Sequence, residues 1–447
     1  MSELLDIADR LVAHAQPGEH IEVFAVEGRD TEIRVYGGEI ESFASAESRG
    51  VGVRVIADGR QGFAYAGTFD DTVLRETLAD ARDNAAFGSF DEHLGLAEPD
   101  GVTPASLDLY DPALLSFETD RKIELALELE RASLSAEPRI VGIEAAEYVD
   151  GVQQYAIVST AGIRTSGRES GCYLSVSTLA EQDGDTQTGY GWSIGRRPAD
   201  LDVARAANDA ATRATRLLGA TKPATGRLTV VLAPYVTAQL LGILGSTLSG
   251  EAVLKGRSLF ADRLGELVAP EWFTLVDDPT VIQAFTASEV DGEGLATRRN
   301  VLIGDGVVRG FLHNSYTARR TGQRSTGSAV RGGFKSTPGV GAQALSLTPG
   351  AASQAELIAG VDHGLLVQDV SGLHSGVNPV SGDFSTGAEG LMIRNGALAE
   401  PVRELTIAST LLKMLHDVVA VGSDLEWLPM NASGVSLVVA DVTLSGA

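Results

Sequence analysis

Ile21-Glu22-Val23-Phe24-Ala25-Val26, Thr31-Glu32-Ile33-Arg34-Val35-Tyr36, Gly52-Val53-Arg54-Val55-Ile56 and Gly62-Phe63-Ala64-Tyr65-Ala66 follow one another near the start of the chain. Apolar and polar residues alternate along each, which is the period of a strand whose two faces meet different surroundings. Glu27-Gly28-Arg29-Asp30, Gly37-Gly38 and Asp58-Gly59 separate them with turn residues, so the segment reads as an antiparallel meander. Before it, Leu4, Leu5, Ile7, Ala8, Leu11 and Val12 recur at helical spacing until Pro17-Gly18. After it, a helix is expected from about Asp70 to Ala86. Helix, meander, helix is an α+β module.

The same kind of unit is expected again further on. Pro99, Pro104 and Pro112 mark residues 88–115 as a linker, then a helix is expected at about 118–135 and strands at about 139–149, 152–160, 172–181 and 186–194. A helix at about 201–219 closes the second unit, and Lys222-Pro223-Ala224 marks the next boundary. From there short strands and glycine turns dominate, with helices at 234–248, 353–359 and 406–416. The fold class is α+β with three domains: 1–112, 113–221 and a β-rich 222–447. No repeat of fixed period is visible.

At 447 residues the chain is long enough for two or three cores. Sixty acidic against 35 basic side chains give a formal charge of −25, which disfavours nucleic acid and anionic membranes as partners. The N-terminus carries acids where a secretory signal carries bases, and no apolar run reaches spanning length. The single cysteine, Cys172, excludes intrachain disulfides and multi-cysteine metal sites. A cytoplasmic protein is expected.

Residues 372–390, Gly-Leu-His-Ser-Gly-Val-Asn-Pro-Val-Ser-Gly-Asp-Phe-Ser-Thr-Gly-Ala-Glu-Gly, hold five glycines and read as a shaped loop of the third domain. Elsewhere the motifs of common chemistries fail. There is no His-Glu pair for a helical zinc site, and nothing in the spacing of His313, His363 and His374 makes them converge. Gly-Leu-His-Ser375-Gly has the wrong spacing for a nucleophile elbow. Thr321 to Gly327 lacks the Gly-Lys-Ser/Thr end of a phosphate loop. Asp291-Gly-Glu-Gly294 has too few ligands for calcium and reads as a turn, and Cys172 reads as packing. Arg319, Arg320, Arg324 and Arg331 crowd into thirteen positions beside Asn314, Tyr316 and Thr326. They would bind a carboxylate or an acidic face, or pair with the chain's own excess acids.

Taken in order, several of these stretches resemble the TldD/PmbA family (PmbA is also called TldE), whose members form a proteolytic complex. The carrying residues are Asp291-Gly-Glu-Gly294, Leu302 to Leu312, Tyr316-Thr-Ala-Arg319, Ser325-Thr-Gly327, Gly372-Leu-His-Ser-Gly-Val-Asn378, Gly382-Asp-Phe-Ser385, Ala388-Glu-Gly390, Ile393-Arg-Asn-Gly396, Pro401-Val402, Thr406-Ile-Ala408 and Ala420 to Asp424. The TldD-like branch carries a zinc motif, His-Glu-x-x-x-His, on the helix after the first strand of its C-terminal domain, and a cysteine ligand near its end. Here that helix reads Gln239 to Gly250, with Leu241, Gly242 and Ser246 at the three motif positions, and no cysteine lies beyond Cys172. The chain therefore looks like the PmbA branch, which lacks the metal and pairs with a TldD-like zinc subunit.

The resemblance implies a subunit with no catalytic or metal-ligating residue and no cofactor of its own, zinc being held by the partner. Its expected contacts with peptide or partner are Asn314, Tyr316, Arg319, Arg320, Thr326, His374, Asn378, Asp383, Phe384 and Ser385. The alternatives are a stand-alone peptide-binding homodimer, or a hydrolase using His313, His363 or His374.

Overall fold

The computed structural model describes residues 2–446. The chain opens with α1 (Ser2–Val12), β1 (His20–Tyr36), β2 (Glu39–Ala57), β3 (Arg60–Ala66) and α2 (Asp71–Phe87). It continues with α3 (Thr119–Ala136), β4 (Ile140–Ser159), β5 (Arg164–Gln182), β6 (Asp185–Gly195) and α4 (Val203–Arg216). Each unit is thus helix, three-stranded meander, helix. The two meanders join edge to edge through antiparallel β1 and β4, giving a single sheet in the order β3-β2-β1-β4-β5-β6. The units mirror each other about the β1–β4 seam, a repeat of architecture without a repeat of sequence.

Local chemistry explains each element. In α1 the helically spaced Leu4, Ile7, Ala8 and Leu11 are buried, and Asp70 caps α2 by accepting from the amides of Thr72 and Val73. The closing helices lie very close to the sheet. A Cβ on Gly62 of β3 would sit 2.0 Å from the Ala81 carbonyl of α2, and one on Gly191 of β6 would sit 1.9 Å from the Ala206 carbonyl of α4. Ala206, Ala210 and Ala214 complete the second contact, small residues opposite glycine letting backbone approach backbone.

The expected turn at Glu27-Gly28-Arg29-Asp30 does not exist: β1 runs straight through it, bonded to β2 on one side and β4 on the other. The expected break near 150–152 is likewise inside β4. The first unit's helices pack over one end of this sheet face and the second unit's over the other. The residues between the two helix pairs are polar because no helix covers them, so polarity there marks a gap in the layer. Two strands expected within 21–36 are therefore one, and β2 begins at Glu39, well before Gly52.

The third domain contains β7 (Gly226–Leu232), α5 (Pro234–Thr247), α6 (Gly250–Leu254) and the short strands β8 (Leu275–Asp277), β9 (Asn300–Gly304) and β10 (Val307–Val308). Next come α7 (Ser315–Thr321), β11 (Ala329–Val330), β12 (Gly339–Val340), β13 (Leu345–Leu347), α8 (Gln354–Ala359) and β14 (His363–Ser371). The chain ends with α9 (Leu373–Gly376), β15 (Asp383–Arg394), β16 (Ala397–Thr410), α10 (Leu411–His416), β17 (Val418–Val421), β18 (Glu426–Trp427), β19 (Ser433–Gly434) and β20 (Leu437–Ser445). The main sheet runs β16-β15-β14-β7-β20-β17, and β16 also pairs with β20, so five strands close on themselves. Closure, made at Thr406–Ala408 of β16, shortens the edge these strands leave open. β7 and β14 are its parallel pair.

Two expectations change here. The helix expected over 406–416 starts only at Leu411, because Thr406 to Thr410 pair with β15 and β20. The stretch 372–390 holds the single turn α9 and then a loop to Gly382; from Asp383 it is β15. Gly372 and Gly382 take positive φ, +75° and +80°, as turn glycines do. Gly376 and Gly390 are there for closeness, since a Cβ would lie 2.1 Å from the Ser385 carbonyl and 1.8 Å from the Leu366 carbonyl.

Candidate functional site

The seam between the six-stranded sheet and the third domain carries buried charge. Asp291, in the turn before β9, accepts at Oδ1 from the amides of Glu293 (2.9 Å) and Leu295 (3.0 Å) and at Oδ2 from that of Ala329 (3.0 Å). The turn so made places Gly294, at φ +84°, against Ile163 and Thr165 of the second unit. Glu293 points the other way. It accepts from the Ser315 amide at 2.8 Å and the Ser315 hydroxyl at 2.6 Å, and lies 3.9 Å from Arg54.

Arg54 of β2 also donates to Glu22 of β1 at 2.9 Å, and Glu22 takes a second arginine, Arg331, from the third domain. All four charged groups of this chain of contacts are buried: Glu22, Arg54, Arg331 and Glu293. Burial works to raise the Glu22 carboxyl, but Arg331 and Arg54 prevail and hold it below the usual range. At Asp291 burial wins, reinforced by the charge of Glu293, and its carboxyl is pushed up. A network of this kind adds little net stability over apolar packing, but losing one member strands a charge at a cost of about 3–5 kcal/mol. It fixes how the two layers dock.

Beside the network lies a cavity of about 620 Å³, lined among others by Phe24, Tyr155, Glu169, Arg196, Phe285 and Asp291. Its floor is the sheet face opposite the helices. There Gly151 and Gly171 face each other across β4 and β5, and a Cβ on Gly171 would come 3.0 Å from the Phe285 ring. Arg196 is held by the carbonyls of Ser170 (3.2 Å) and Ala284 (2.8 Å). Burial pushes the Glu169 carboxyl up, against the opposing pull of Arg196. The cavity thus combines aromatic walls, a backbone floor, the arginines Arg196 and Arg331, and the carboxyl groups of Asp30, Asp150, Glu169 and Asp291. Such a lining suits a short extended segment held by apolar contact and a few polar anchors.

None of the ten residues expected to contact peptide or partner lines this cavity. The structure sorts them into two groups. In the first, Asn314 caps α7 by accepting from the Thr317 amide at 2.9 Å, and Thr326 bonds the backbone of His313. Tyr316 donates to Asp91 at 2.7 Å, with Arg320 bonded to the Tyr316 hydroxyl at 3.0 Å. Arg319 grips three carbonyls of the 88–115 linker: His93 at 2.8 Å, Gly95 at 2.6 Å and Leu96 at 3.2 Å. In the second group, Asn378 accepts from the amides of Val380 and Ser381, and Asp383 accepts from the Ser381 hydroxyl at 2.6 Å. Phe384 is buried in the core, while His374 and Ser385 are exposed.

Sequence reasoning missed Glu22, Arg54, Glu169 and Arg196. Each sits at a strand position, or next to one, where a polar residue reads as solvent-facing. The available signal was Glu22 falling on the same face as Phe24 and Val26.

The histidines stand apart. His313 is buried, its Nδ1 at 3.2 Å from the Thr317 hydroxyl, and burial lowers its pKa. His363 and His374 flank β14 at opposite ends. Helix α5 carries the three positions where the zinc motif would stand. Leu241 is 1% exposed, packed among apolar residues, Gly242 has no side chain, and the Ser246 hydroxyl is bonded to the Ile243 carbonyl at 2.7 Å. These residues do not fit zinc. Among the described residues, no group of three or more His, Cys, Asp or Glu could hold a metal ion.

The chain is similar to known proteins over nearly its full length. It is 29% identical over 429 residues to Metalloprotease PmbA of Escherichia coli O157:H7, covering 95% of this chain and 92% of that one. It is 24% identical over 429 residues to a Metalloprotease TldD homolog of Haemophilus influenzae, covering 89% and 87%. The crystal structure of TldE from Thermococcus kodakarensis superposes with a TM-score of 0.90 at 22% identity, covering both chains completely, and shares the fold. The three domains of the PmbA/TldA metallopeptidases match in order, domain 1 over residues 21–85, the central domain over 112–218 and the C-terminal domain over 225–446. With the two mirrored units and the closed barrel each meeting its counterpart, the chain belongs to the PmbA/TldD family of metalloprotease-like proteins.

Proposed function

We propose that this chain is the metal-free, PmbA/TldE-like subunit of a two-component metallopeptidase, and that it shapes the chamber in which a zinc-bearing TldD-like partner cleaves unfolded or modified peptides. The observation that carries the proposal is the face of α5. Leu241 is committed to the core and Gly242 and Ser246 offer no base or ligand set, so hydrolysis needs a metal from elsewhere. Within one organism, Haemophilus influenzae, the identity is 28% to the PmbA homolog against 24% to the TldD homolog, which supports the same branch. The cavity at the seam, with its glycine floor and aromatic walls, would hold an extended segment of the peptide. A chain of net charge −25 with its one cysteine buried suits the cytoplasm.

The test is co-expression of the full chain with the TldD-like protein of the same genome. Co-purification of a hetero-oligomer whose zinc content is abolished by replacing the partner's motif histidines is the expected result. A chain that purifies only with itself, while the partner's activity is indifferent to it, would instead favour the homodimeric peptide-binding protein.

A further inference from the structure

The gap in the helix layer is itself a cleft, on the face of the sheet opposite the seam cavity. It encloses about 660 Å³ and is lined by Arg29, Arg49, Arg168, Tyr110, Glu27 and Glu47, with Leu115 and Val152 as its apolar part. Strand register explains the arrangement. Arg49, Glu27, Gln154 and Arg168 stand in one row across β2, β1, β4 and β5, and Glu47 and Arg29 stand opposite each other in the parallel row two residues along.

The side chains do not pair as the register would allow. Glu27 accepts from the Gln154 amide, Arg49 leans over the Phe69 ring at 5.8 Å, and Arg168 lies over the Tyr110 ring at 4.2 Å. None of the three arginines makes an ion pair within 4.0 Å among the described residues, in a chain with 25 more acids than bases. Contact with the Tyr110 ring holds the Arg168 guanidinium in place while its edge N–H groups stay open to the cleft, a pre-organised fork for a planar oxyanion. Tyr110 belongs to the 88–115 linker, which closes one wall of the cleft; its neighbour Asp111 is fastened to β5 by the Ser170 hydroxyl at 2.9 Å.

We propose that this cleft is a binding site for a small multivalent oxyanion, carrying carboxylate or phosphate oxygens, with Arg49 and Arg168 as its principal donors and Arg29 as the third charge. It is independent of the peptidase reading, since it lies on the other face of the sheet and uses none of the same residues as donors.

Titration calorimetry of the full chain with pyrophosphate and, separately, with citrate tests it. Saturable one-site binding of either supports the site, and which of the two binds tells phosphate from carboxylate. The variant Arg49→Gln/Arg168→Gln should weaken binding by about tenfold or more, the loss expected for removed charge-assisted hydrogen bonds. A control variant on the helices, Arg131→Gln/Arg216→Gln, should leave it unchanged, with both variants keeping the wild-type circular dichroism. No saturable binding of either anion up to millimolar concentration, or equal weakening in both variants, would overturn the proposal.

Discussion

Asp277 at the end of β8 accepts at Oδ1 from the amides of Gln343 and Ala344, at 2.8 and 2.7 Å, while its Oδ2 is buried without a hydrogen-bond partner among the described residues. Burial pushes its carboxyl up from the ordinary 3.8 to about 6. Between those values the folded state keeps a proton that the unfolded chain has lost, so stability falls as pH rises through the window and the penalty is complete above it. Asp277→Asn keeps the Oδ1 acceptor and removes the charge. Urea unfolding should find it more stable than wild type at neutral pH by about 1–3 kcal/mol and equal to it at about pH 3. A difference that does not change with pH would contradict this. Some residues were legible by composition alone: Asp291-Gly-Glu-Gly294 reads as a turn and is one, and Cys172 reads as packing and is buried. Glu22 and Arg54 were not, because alternation reports a face as apolar or polar and does not reveal a second layer that buries charge against charge.

At the scale of elements, each closing helix is seated by glycine. Gly191→Ala would place a Cβ 1.9 Å from the Ala206 carbonyl, a backbone atom that moves only with all of α4. The substitution should cost about 1–3 kcal/mol. Gly226→Ala in β7 meets nothing within 4 Å and should stay within about 0.5 kcal/mol of wild type. Chemical denaturation of the two variants decides; equal midpoints would refute the close-packing argument. The linker supplies a second test. Arg319 holds the carbonyls of residues 93, 95 and 96, so Arg319→Ala should speed proteolytic nicking within 88–115 while leaving the far-ultraviolet circular dichroism unchanged. An unaltered cleavage rate would show that the grip is not what orders the strap. Helix periodicity located α1, α2, α3 and α5 within a few residues. The strands were cut short wherever polar residues interrupted alternation, since local pattern cannot distinguish a turn from a strand crossing an uncovered gap.

At the scale of the molecule, the three domains read from the sequence are organised as two layers. The first two units share one sheet through β1 and β4, a pairing of residues more than a hundred positions apart that no local period announces. The third carries a closed barrel, and its turn at Asp291 and arginine at Arg331 lock onto that sheet. The cavity lies at this junction and is built from all three segments, which is why the expected contact residues, all chosen within the third domain, fell beside it or elsewhere. The central claim is that this chain completes a peptidase whose metal chemistry resides in another subunit. The most direct measurement is cleavage of an unfolded polypeptide by the purified chain, by the proposed TldD-like partner and by the two together. The account predicts turnover that requires the mixture and is abolished by a zinc chelator. Turnover by this chain alone, with stoichiometric bound zinc, would contradict it.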